Sequence, residues 1–284
     1  MANEWRVDCH AHVIAPQRFP YADGPGYKPR PDETGEYDSF RRVLATHGIS
    51  HALLVQPSCY GYDNTCMLDA MTRSGGRFKG IAVIEPEATD EHMQALKEQG
   101  VVGVRLNLMR TDPEALSRPG TARFLARVKA LGWFVQVYAT GDVWAGVGET
   151  LRQSGARVVV DHFGDPDLSR GLDQPGFQTV LMLGREGDAA VKLSAAFRSS
   201  VRAFPHEDVE PFVAAVMDAY GLDRCVWGSD WPFINTTQRV EYGGLLGLLT
   251  RWLPDAGDRD RVLWQNPARL FSFGDAQYSR TQVR

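Results

Sequence analysis

Eight short apolar runs, spread along most of the chain, constrain its fold more than any other feature of the sequence. Most are continuous stretches rich in Val, Ile and aromatic residues rather than alternating ones. Such stretches are typical of strands that are covered on both faces, as in a parallel sheet. The eight runs are Arg6–Val13, His51–Pro57, Lys79–Ile84, Val101–Leu108, Phe134–Ala139, Arg157–Phe163, Val191–Ala195 and Arg224–Gly228.

Helical patterns lie between many of these runs. Polar residues such as Asp38, Asp63 and Thr89 precede apolar stripes at helical spacing, and a glycine follows each stripe. Strand and helix alternate at about 25–35 residues per unit, which indicates right-handed βαβ crossovers. Eight such units predict one α/β domain, a distorted (β/α)8 TIM barrel over residues 1–273, followed by a polar C-terminal tail over 274–284. An open doubly wound sheet is the alternative, but no Gly-rich loop follows the first run.

The composition is that of a soluble globular protein and argues against several classes of function. The chain has 284 residues, of which 43% are hydrophobic and 23% charged, and its net charge is −4 at pH 7. Lys and Arg are scattered, so we expect no nucleic-acid surface, and no apolar run is long enough to span a membrane. The N-terminus has no secretory pattern and the four cysteines form no C-x-x-C pair. We therefore expect a cytoplasmic protein with reduced thiols.

Polar side chains lie at the ends of three predicted strands. The first strand carries Asp8, His10 and His12 at intervals of two, so they are predicted to share the inner face of the barrel. His162 and Asp230 follow apolar residues at the ends of the sixth and eighth strands. Each residue alone has an ordinary explanation, such as a core histidine or a helix cap. Together, at the end of a barrel that carries catalytic residues, they predict a metal site or a hydrogen-bonding floor.

Arginines near the same end of the predicted barrel indicate a small anionic substrate. Arg105 lies inside an apolar strand, where an aliphatic residue is the ordinary choice. Arg110 and Arg198 follow the fourth and seventh strands, although a solvated surface position explains Arg110 equally well. Guanidinium groups bind carboxylates through paired hydrogen bonds. Weaker candidates for the pocket are Ser58, Tyr21 and Asn107.

The motifs at the strand ends resemble those of the amidohydrolase superfamily, and the resemblance covers nearly the whole chain. The motifs are Asp8-Cys9-His10-Ala11-His12, Asp161-His162, Gly228-Ser229-Asp230-Trp231-Pro232 and Asn266-Pro267-Ala268-Arg269-Leu270-Phe271. Other segments are similar to the lactonase branch, which includes hydrolases of pyrone dicarboxylates and of sugar lactones. They include Phe19-Pro20-Tyr21, Val55-Gln56-Pro57-Ser58-Cys59, Gly103-Val104-Arg105-Leu106-Asn107 and Val160-Asp161-His162-Phe163-Gly164.

The resemblance implies a carboxylic ester hydrolase that opens the ring of a small carboxylated lactone in the catabolism of aromatic or sugar acids. Asp230 would take a proton from the attacking water and pass it to the leaving oxygen, a role that a raised pKa would suit. Three histidines would polarise the carbonyl group and stabilise the oxyanion. These histidines are His10, His12 and His162.

The resemblance also implies which residues bind the substrate. Two positions depart from the pyrone hydrolases: this chain has Asp165 and Phe233 where those enzymes have an arginine and a histidine. Both changes remove groups that hold a dicarboxylate, so a monocarboxylated lactone, a muconolactone or a sugar lactone fits as well. The positions that match substrate contacts of the branch are Arg105, Tyr138, Arg198 and, less securely, Arg110.

A metal ion is permitted by the sequence but not required. A single zinc ion held by His10, His12, His162 and Asp230 is the alternative. The fourth strand offers Arg105 where many amidohydrolases have a further ligand, and its charge would repel a cation, so catalysis without a cofactor is favoured. The alternative functions are a zinc-dependent decarboxylase, a lactone isomerase and a non-catalytic binding barrel. A homo-oligomer is possible.

Overall fold

Eight parallel strands form the centre of the protein. A computed structural model describes residues 5–24, 27–109, 116 and 118–274. The strands are hydrogen-bonded to one another in chain order, and all eight strand predictions are confirmed. They are β1 (Val7–Ala11), β2 (His51–Val55), β3 (Phe78–Ala82), β4 (Val101–Asn107), β5 (Phe134–Tyr138), β6 (Arg157–Val160), β7 (Ala189–Ser194) and β8 (Cys225–Gly228). Arg110 and, apart from Gly274, the predicted tail 274–284 lie outside the described residues.

Helices connect the strands and surround them. They are α1 (Tyr37–Thr46), α2 (Thr65–Arg73), α3 (Asp90–Glu98), α4 (Pro119–Ala130), α5 (Val143–Ser154), α6 (Pro175–Glu186), α7 (Ala196–Ser199), α8 (Glu210–Tyr220), α9 (Tyr242–Trp252), α10 (Ala256–Asp260) and α11 (Asn266–Phe271). Thr89 caps α3 as predicted, because its side chain accepts a hydrogen bond from the His92 amide. The capping role predicted for Asp38 is wrong, because α1 begins one residue earlier. Among the described residues, no helix is both long and apolar enough to cross a membrane.

The first and last strands meet to give a nearly closed barrel. The amide of His12 donates to the carbonyl of Trp231 (2.8 Å), and the amide of Asp230 donates to the carbonyl of His10 (2.7 Å). Gly228 permits this approach, because a Cβ at that position would lie 2.5 Å from the Cβ of His10. The predicted fold, a single-domain distorted (β/α)8 barrel, is confirmed.

The interior of the barrel is apolar at its amino-terminal end. Alternate residues of the strands pack there in one cluster, and Leu270 and Phe271 of α11 join it from below. Branched and aromatic side chains of this kind ordinarily fill a barrel throughout. The strand residues of the cluster are Val7, Cys9, Leu53, Val55, Ile81, Phe134, Val159, Ala190 and Val226.

Asp8 does not share the inner face with His10 and His12, so that part of the sequence prediction is wrong. Between Asp8 and Ala11, three residue steps of β1 lie opposite two of β2, which is the mark of a β-bulge. The extra residue shifts the alternation of side chains by one. Cys9 therefore joins the inner cluster, while the Asp8 carboxylate accepts a hydrogen bond from the hydroxyl of Tyr242 in α9 (3.0 Å).

Asp8 instead joins β1 to the end of β8 and to α9. Besides the Tyr242 hydroxyl, its carboxylate accepts hydrogen bonds from the Ser229 amide (2.9 Å), the Ser229 hydroxyl (2.6 Å) and the His10 amide (3.0 Å). The side chain is fully buried. Loss of the carboxylate would leave these donors without a partner away from water.

We expect Asp8→Ala to lower the free energy of unfolding by at least about 3 kcal/mol, because several buried donors would lose their acceptor. Tyr242→Phe is the matched control: it removes one of the four donors and should lower that free energy by about 1 kcal/mol. Urea unfolding followed by circular dichroism measures both. Equal losses in the two variants would contradict this account of Asp8.

Candidate active site

A cavity of about 470 Å³ opens at the carboxyl-terminal ends of the strands. Most of the residues predicted for the site line it. His10 and Tyr21 do not: His10 is buried beneath, and the Tyr21 hydroxyl donates to the carbonyl of Pro29 (3.2 Å). The predicted residues that line the cavity are His12, Ser58, Arg105, Asn107, Tyr138, His162, Arg198 and Asp230; Tyr27, Pro57, Met109, Ile234 and Asn235 complete it.

Asp230 follows β8 and is almost fully buried at the floor of the cavity. The Nε of Arg198 donates to its Oδ2 (2.5 Å), and its Oδ1 lies 3.4 Å from His12 Nε2. Burial alone would raise the pKa of Asp230, but Arg198 and the neighbouring histidines hold it well below the ordinary value of 3.8. The raised pKa that would suit a base is therefore not found in the free protein, because a guanidinium faces the carboxylate. Asp230 is ionised at neutral pH.

His10 of β1 and His12, which directly follows β1, both lie near Asp230 Oδ1. Nδ1 of His12 lies 2.7 Å from the carbonyl of Val55, which can only accept, so that nitrogen carries a hydrogen. Nε2 of His12 then has a lone pair that faces the Asp230 carboxylate. The contact with Oδ1 is therefore favourable only when a proton or another cation lies between the two atoms. Nε2 of His10 is 3.6 Å from the same oxygen and has no hydrogen-bond partner among the described residues.

His162 lies at the end of β6, and its Nδ1 lies 2.8 Å from the hydroxyl oxygen of Ser194 in β7. If the hydroxyl donates, the hydrogen of the neutral ring is on Nε2, where a substrate can accept it. Burial lowers the pKa of His162 to about 4. The ring is therefore neutral near pH 7 and can act as a donor without carrying a charge.

Beneath the histidines, a layer of buried polar side chains replaces the apolar interior. Its members are Arg105, Gln136, Asp161 and Lys192. The Lys192 ammonium donates to Gln136 Oε1 (2.7 Å) and approaches Asp161 Oδ1 (3.3 Å). Gln136 Nε2 and Arg105 reach Asp161 Oδ2 at 3.0 and 3.5 Å. Burial opposes ionisation of Asp161, but the positive charges of Lys192 and Arg105 hold its pKa well below 3.8.

Lys192 also contacts His10, with Nζ 3.3 Å from Nδ1. An ammonium group can only donate, so in this contact Nδ1 accepts and the hydrogen of the ring lies on Nε2, toward Asp230. Asp161 Oδ1 is a similar distance from Nδ1 (3.2 Å) but makes no hydrogen bond among the described residues. Lys192 thus favours the form of His10 that can donate a hydrogen bond from Nε2 toward Asp230.

Sequence reasoning missed Gln136 and Lys192, and assigned no role to Asp161. The signal was available: in β7, Lys192 and Ser194 alternate with Val191 and Leu193, so the lysine belongs to the inner face. A lysine in an otherwise apolar, fully buried strand needs an anionic partner. Its partner, Asp161, was visible only as the neighbour of His162.

Arg105 keeps unused hydrogen-bonding capacity at the cavity. Its side chain is 7% exposed, its only ion pair among the described residues is the 3.5 Å contact with Asp161, and its Nε has no partner there. The guanidinium lies 5.5 Å from the ring centre of Tyr138. A buried cation with a free donor edge is ready to bind a carboxylate.

The backbone is strained where the strands end. His162, Phe163, Ala195 and Asp230 have φ values of 50°, 41°, 53° and 64°. Residues with a side chain adopt this left-handed region at a cost of roughly 1–2 kcal/mol, and such residues cluster at functional sites. Strain at the ends of β6, β7 and β8 therefore marks the same region as the polar side chains.

Three of the four alternative metal ligands come together. Ligand atoms of His10, His12 and Asp230 lie within 4.8 Å of one another, whereas His162 groups instead with His10 and Asp161. The Val55 contact leaves His12 Nε2 free to bind an ion, as outer contacts of metal-binding histidines do. These three residues fit a divalent ion, but the four-residue site is not assembled.

Comparison with known proteins finds relatives along nearly the whole chain. An amidohydrolase family model (Amidohydro_2) matches residues 7–273. The chain is 32% identical to 4-sulfomuconolactone hydrolase of Hydrogenophaga intermedia, over 93% of this chain and 88% of the relative. It is 31% identical to 2-pyrone-4,6-dicarboxylate hydrolase of Comamonas testosteroni, over 93% and 89%. A crystal structure of a probable 2-pyrone-4,6-dicarboxylic acid hydrolase of Acinetobacter baumannii, with citric acid bound, superposes with a TM-score of 0.85 at 32% identity, over 94% and 99%.

The low pKa of His162 predicts how stability depends on pH. Between about pH 6.5 and pH 4 the unfolded chain binds a proton at this residue and the folded protein does not, so stability falls as the pH is lowered through that window. From pH 7 to pH 5, His162→Asn should lose about 2 kcal/mol less free energy of unfolding than the parent. An NMR titration of the His162 ring with a midpoint near 6.5 would contradict this.

Proposed function

The chain belongs to the amidohydrolase family, and we propose that it is a lactone hydrolase in which Asp230 activates water to open the ring of a small carboxylated lactone. The relatives named above as lactone hydrolases support this reaction. The observation that carries the proposal is the cavity itself. It holds an ionised carboxylate, Asp230, together with neutral His162 and the incompletely paired Arg105.

Arg105 provides the anchor for the substrate carboxylate. Its free Nε and weakly engaged terminal nitrogen can form paired hydrogen bonds with two carboxylate oxygens. Lys192, in the layer beneath, adds a second positive charge near Arg105, with Asp161 shared between them. This end of the cavity therefore attracts an anion, and binding there would orient the ring toward Asp230.

The reaction needs only water and groups that are present at the cavity. Asp230 takes a proton as water attacks the lactone carbonyl, and the C–O bond of the ring breaks as the tetrahedral intermediate collapses. The proton held by Asp230 passes to the leaving oxygen, so the product is a hydroxy acid. His162 donates to the developing oxyanion, and His12 Nε2 lies beside Asp230 Oδ1.

His10 has an indirect part in this mechanism, because it does not line the cavity. Its Nε2, set as a donor by Lys192, faces Asp230 from below. The low pKa of Asp230 keeps the base ionised across the neutral range, although it makes the carboxylate intrinsically weak. A lactone is activated enough for such a base, because its ester carbonyl is more electrophilic than that of an amide.

We propose further that the reaction requires no metal ion. Arg198 Nε lies 2.5 Å from Asp230 Oδ2, and Lys192 Nζ lies 3.3 Å from His10 Nδ1. Both cations lie next to residues that would bind the ion, so its charge would be opposed from two sides. If an ion is bound, His10, His12 and Asp230 would hold it, and it would supply Lewis-acid activation of water or of the carbonyl. The cytoplasmic location and a homo-oligomeric state stay predictions.

Asp230→Asn tests the base directly. Asparagine is tolerated at the left-handed backbone of this residue, so the fold should be retained. We expect kcat for lactone hydrolysis to fall by about 10²–10⁴, because the amide cannot take a proton from water. A pH-indicator assay detects the acid released on ring opening, and circular dichroism controls for folding. A kcat within a few-fold of the parent would remove Asp230 from the mechanism.

Removal of metal tests the second part of the proposal. Protein dialysed against a strong chelator should keep most of its hydrolytic activity, since the donors and the base are side chains. Protein dialysed against buffer alone is the control, and elemental analysis gives the metal content of both. One zinc per chain, with activity lost on chelation and restored by zinc, would show that His10, His12 and Asp230 act as ligands instead.

A further inference from the structure

The hydroxyl of Tyr138, at the end of β5, is committed to a carboxylate and not to the cavity. It donates to Asp165 Oδ2 at 3.0 Å, while the hydroxyl of Ser199 donates to Asp165 Oδ1 at 2.7 Å. The hydroxyl group of a tyrosine has one hydrogen to donate, and a carboxylate can only accept a hydrogen bond. Tyr138 lines the active-site cavity. Toward a substrate it therefore offers an oxygen that accepts hydrogen bonds and cannot donate one.

The charged groups around the cavity are unevenly balanced. Arg105 and Lys192 share a single carboxylate, Asp161, which leaves a surplus of positive charge in the layer beneath the histidines. Arg198 is paired with Asp230 at 2.5 Å. Asp165, which binds the Tyr138 hydroxyl, is a second carboxylate near Arg198 and also attracts its charge, so these three groups carry a surplus of negative charge.

Resting on the proposed lactone hydrolysis, we infer that the preferred substrate carries one anionic group and, on its ring, a hydroxyl group. The anionic group binds at Arg105. The hydroxyl donates to the phenolic oxygen of Tyr138, which can act only as an acceptor because its own hydrogen is donated to Asp165. A second carboxylate in that place would meet an acceptor and two nearby carboxylates, Asp165 and Asp230. Asp165 is thus a specificity-determining residue.

The test compares two lactones of the same ring size. One carries a carboxylate and a ring hydroxyl, and in the other a second carboxylate replaces the hydroxyl. We expect kcat/KM to be about 10- to 100-fold higher for the hydroxylated monoanion than for the dianion. This is the effect expected from one unfavourable contact between like charges in a partly buried site. An equal or higher value for the dianion would overturn the inference. If neither lactone is opened, while the protein is folded, the proposed function itself fails.

Asp165→Asn should reduce that preference at least about 10-fold, because it removes the repelling charge. Asparagine suits the left-handed backbone at this position (φ 43°). Asp167→Asn is the matched control. It removes the same charge from the same loop, but Asp167 caps the turn at Ser169 and does not contact Tyr138. The ratio between the two substrates should stay at the parental value in this control, and an equal change in both variants would overturn the role of Asp165.

Tyr138→Phe separates the hydrogen bond from the charge. It should lower kcat/KM for the hydroxylated lactone about 10-fold, in line with the loss of one hydrogen bond. The analogue that lacks the hydroxyl should be hydrolysed by this variant at nearly the parental rate. If Tyr138→Phe affects both lactones equally, the phenolic oxygen does not recognise the hydroxyl and the inference is wrong.

Discussion

Asp161 balances the charge of two buried cations in the middle of the barrel, and the polar layer beneath the active-site histidines depends on this balance. Lys192 and Arg105 both reach its carboxylate, while Gln136 donates a hydrogen bond to Asp161 and accepts one from Lys192. A charge buried without such partners costs several kcal/mol, so none of these side chains is tolerable alone. Because Lys192 also contacts His10, the same network favours the form of that ring with its hydrogen on Nε2.

The same layer also influences how positive and negative charge are distributed around the cavity above it. Positive charge is concentrated at Arg105, and Arg198 is largely neutralised by the carboxylates near it. The proposed anionic substrate would be drawn to Arg105, while Asp230 stays ionised. The surrounding structure keeps the backbone of His162 and Asp230 in the left-handed region, so under the proposed mechanism these groups would need little rearrangement when substrate binds.

Periodicity in the sequence predicted the strands well, and its failures have local physical causes. In β1, the alternation of side chains predicted Asp8 on the inner face of the barrel, but a bulge of one residue reverses the face on which it lies. The residue types in β1 give no sign of that bulge. In β7 the alternation held, and Lys192 was missed although its position followed from it. Tyr27 and Asn235 enter the cavity from loops, whose paths periodic patterns do not describe. Tyr21, in the same loop as Tyr27, turns away to bond the Pro29 carbonyl.

The class of fold, and the end of the barrel at which the polar side chains gather, follow from the amino-acid sequence. Continuous apolar runs separated by capped helical patterns are compatible with few folds other than a parallel barrel. In such a barrel, polar residues at the strand ends converge whatever the conformation of the loops. The pairing of those residues is visible only in the folded structure: Arg198 lowers the pKa of Asp230, Lys192 lies beneath His10, and Asp165 accepts the hydrogen bond of the Tyr138 hydroxyl. These pairs are far apart in the chain, and their energies depend on distances of a few ångströms and on burial, which no local pattern encodes.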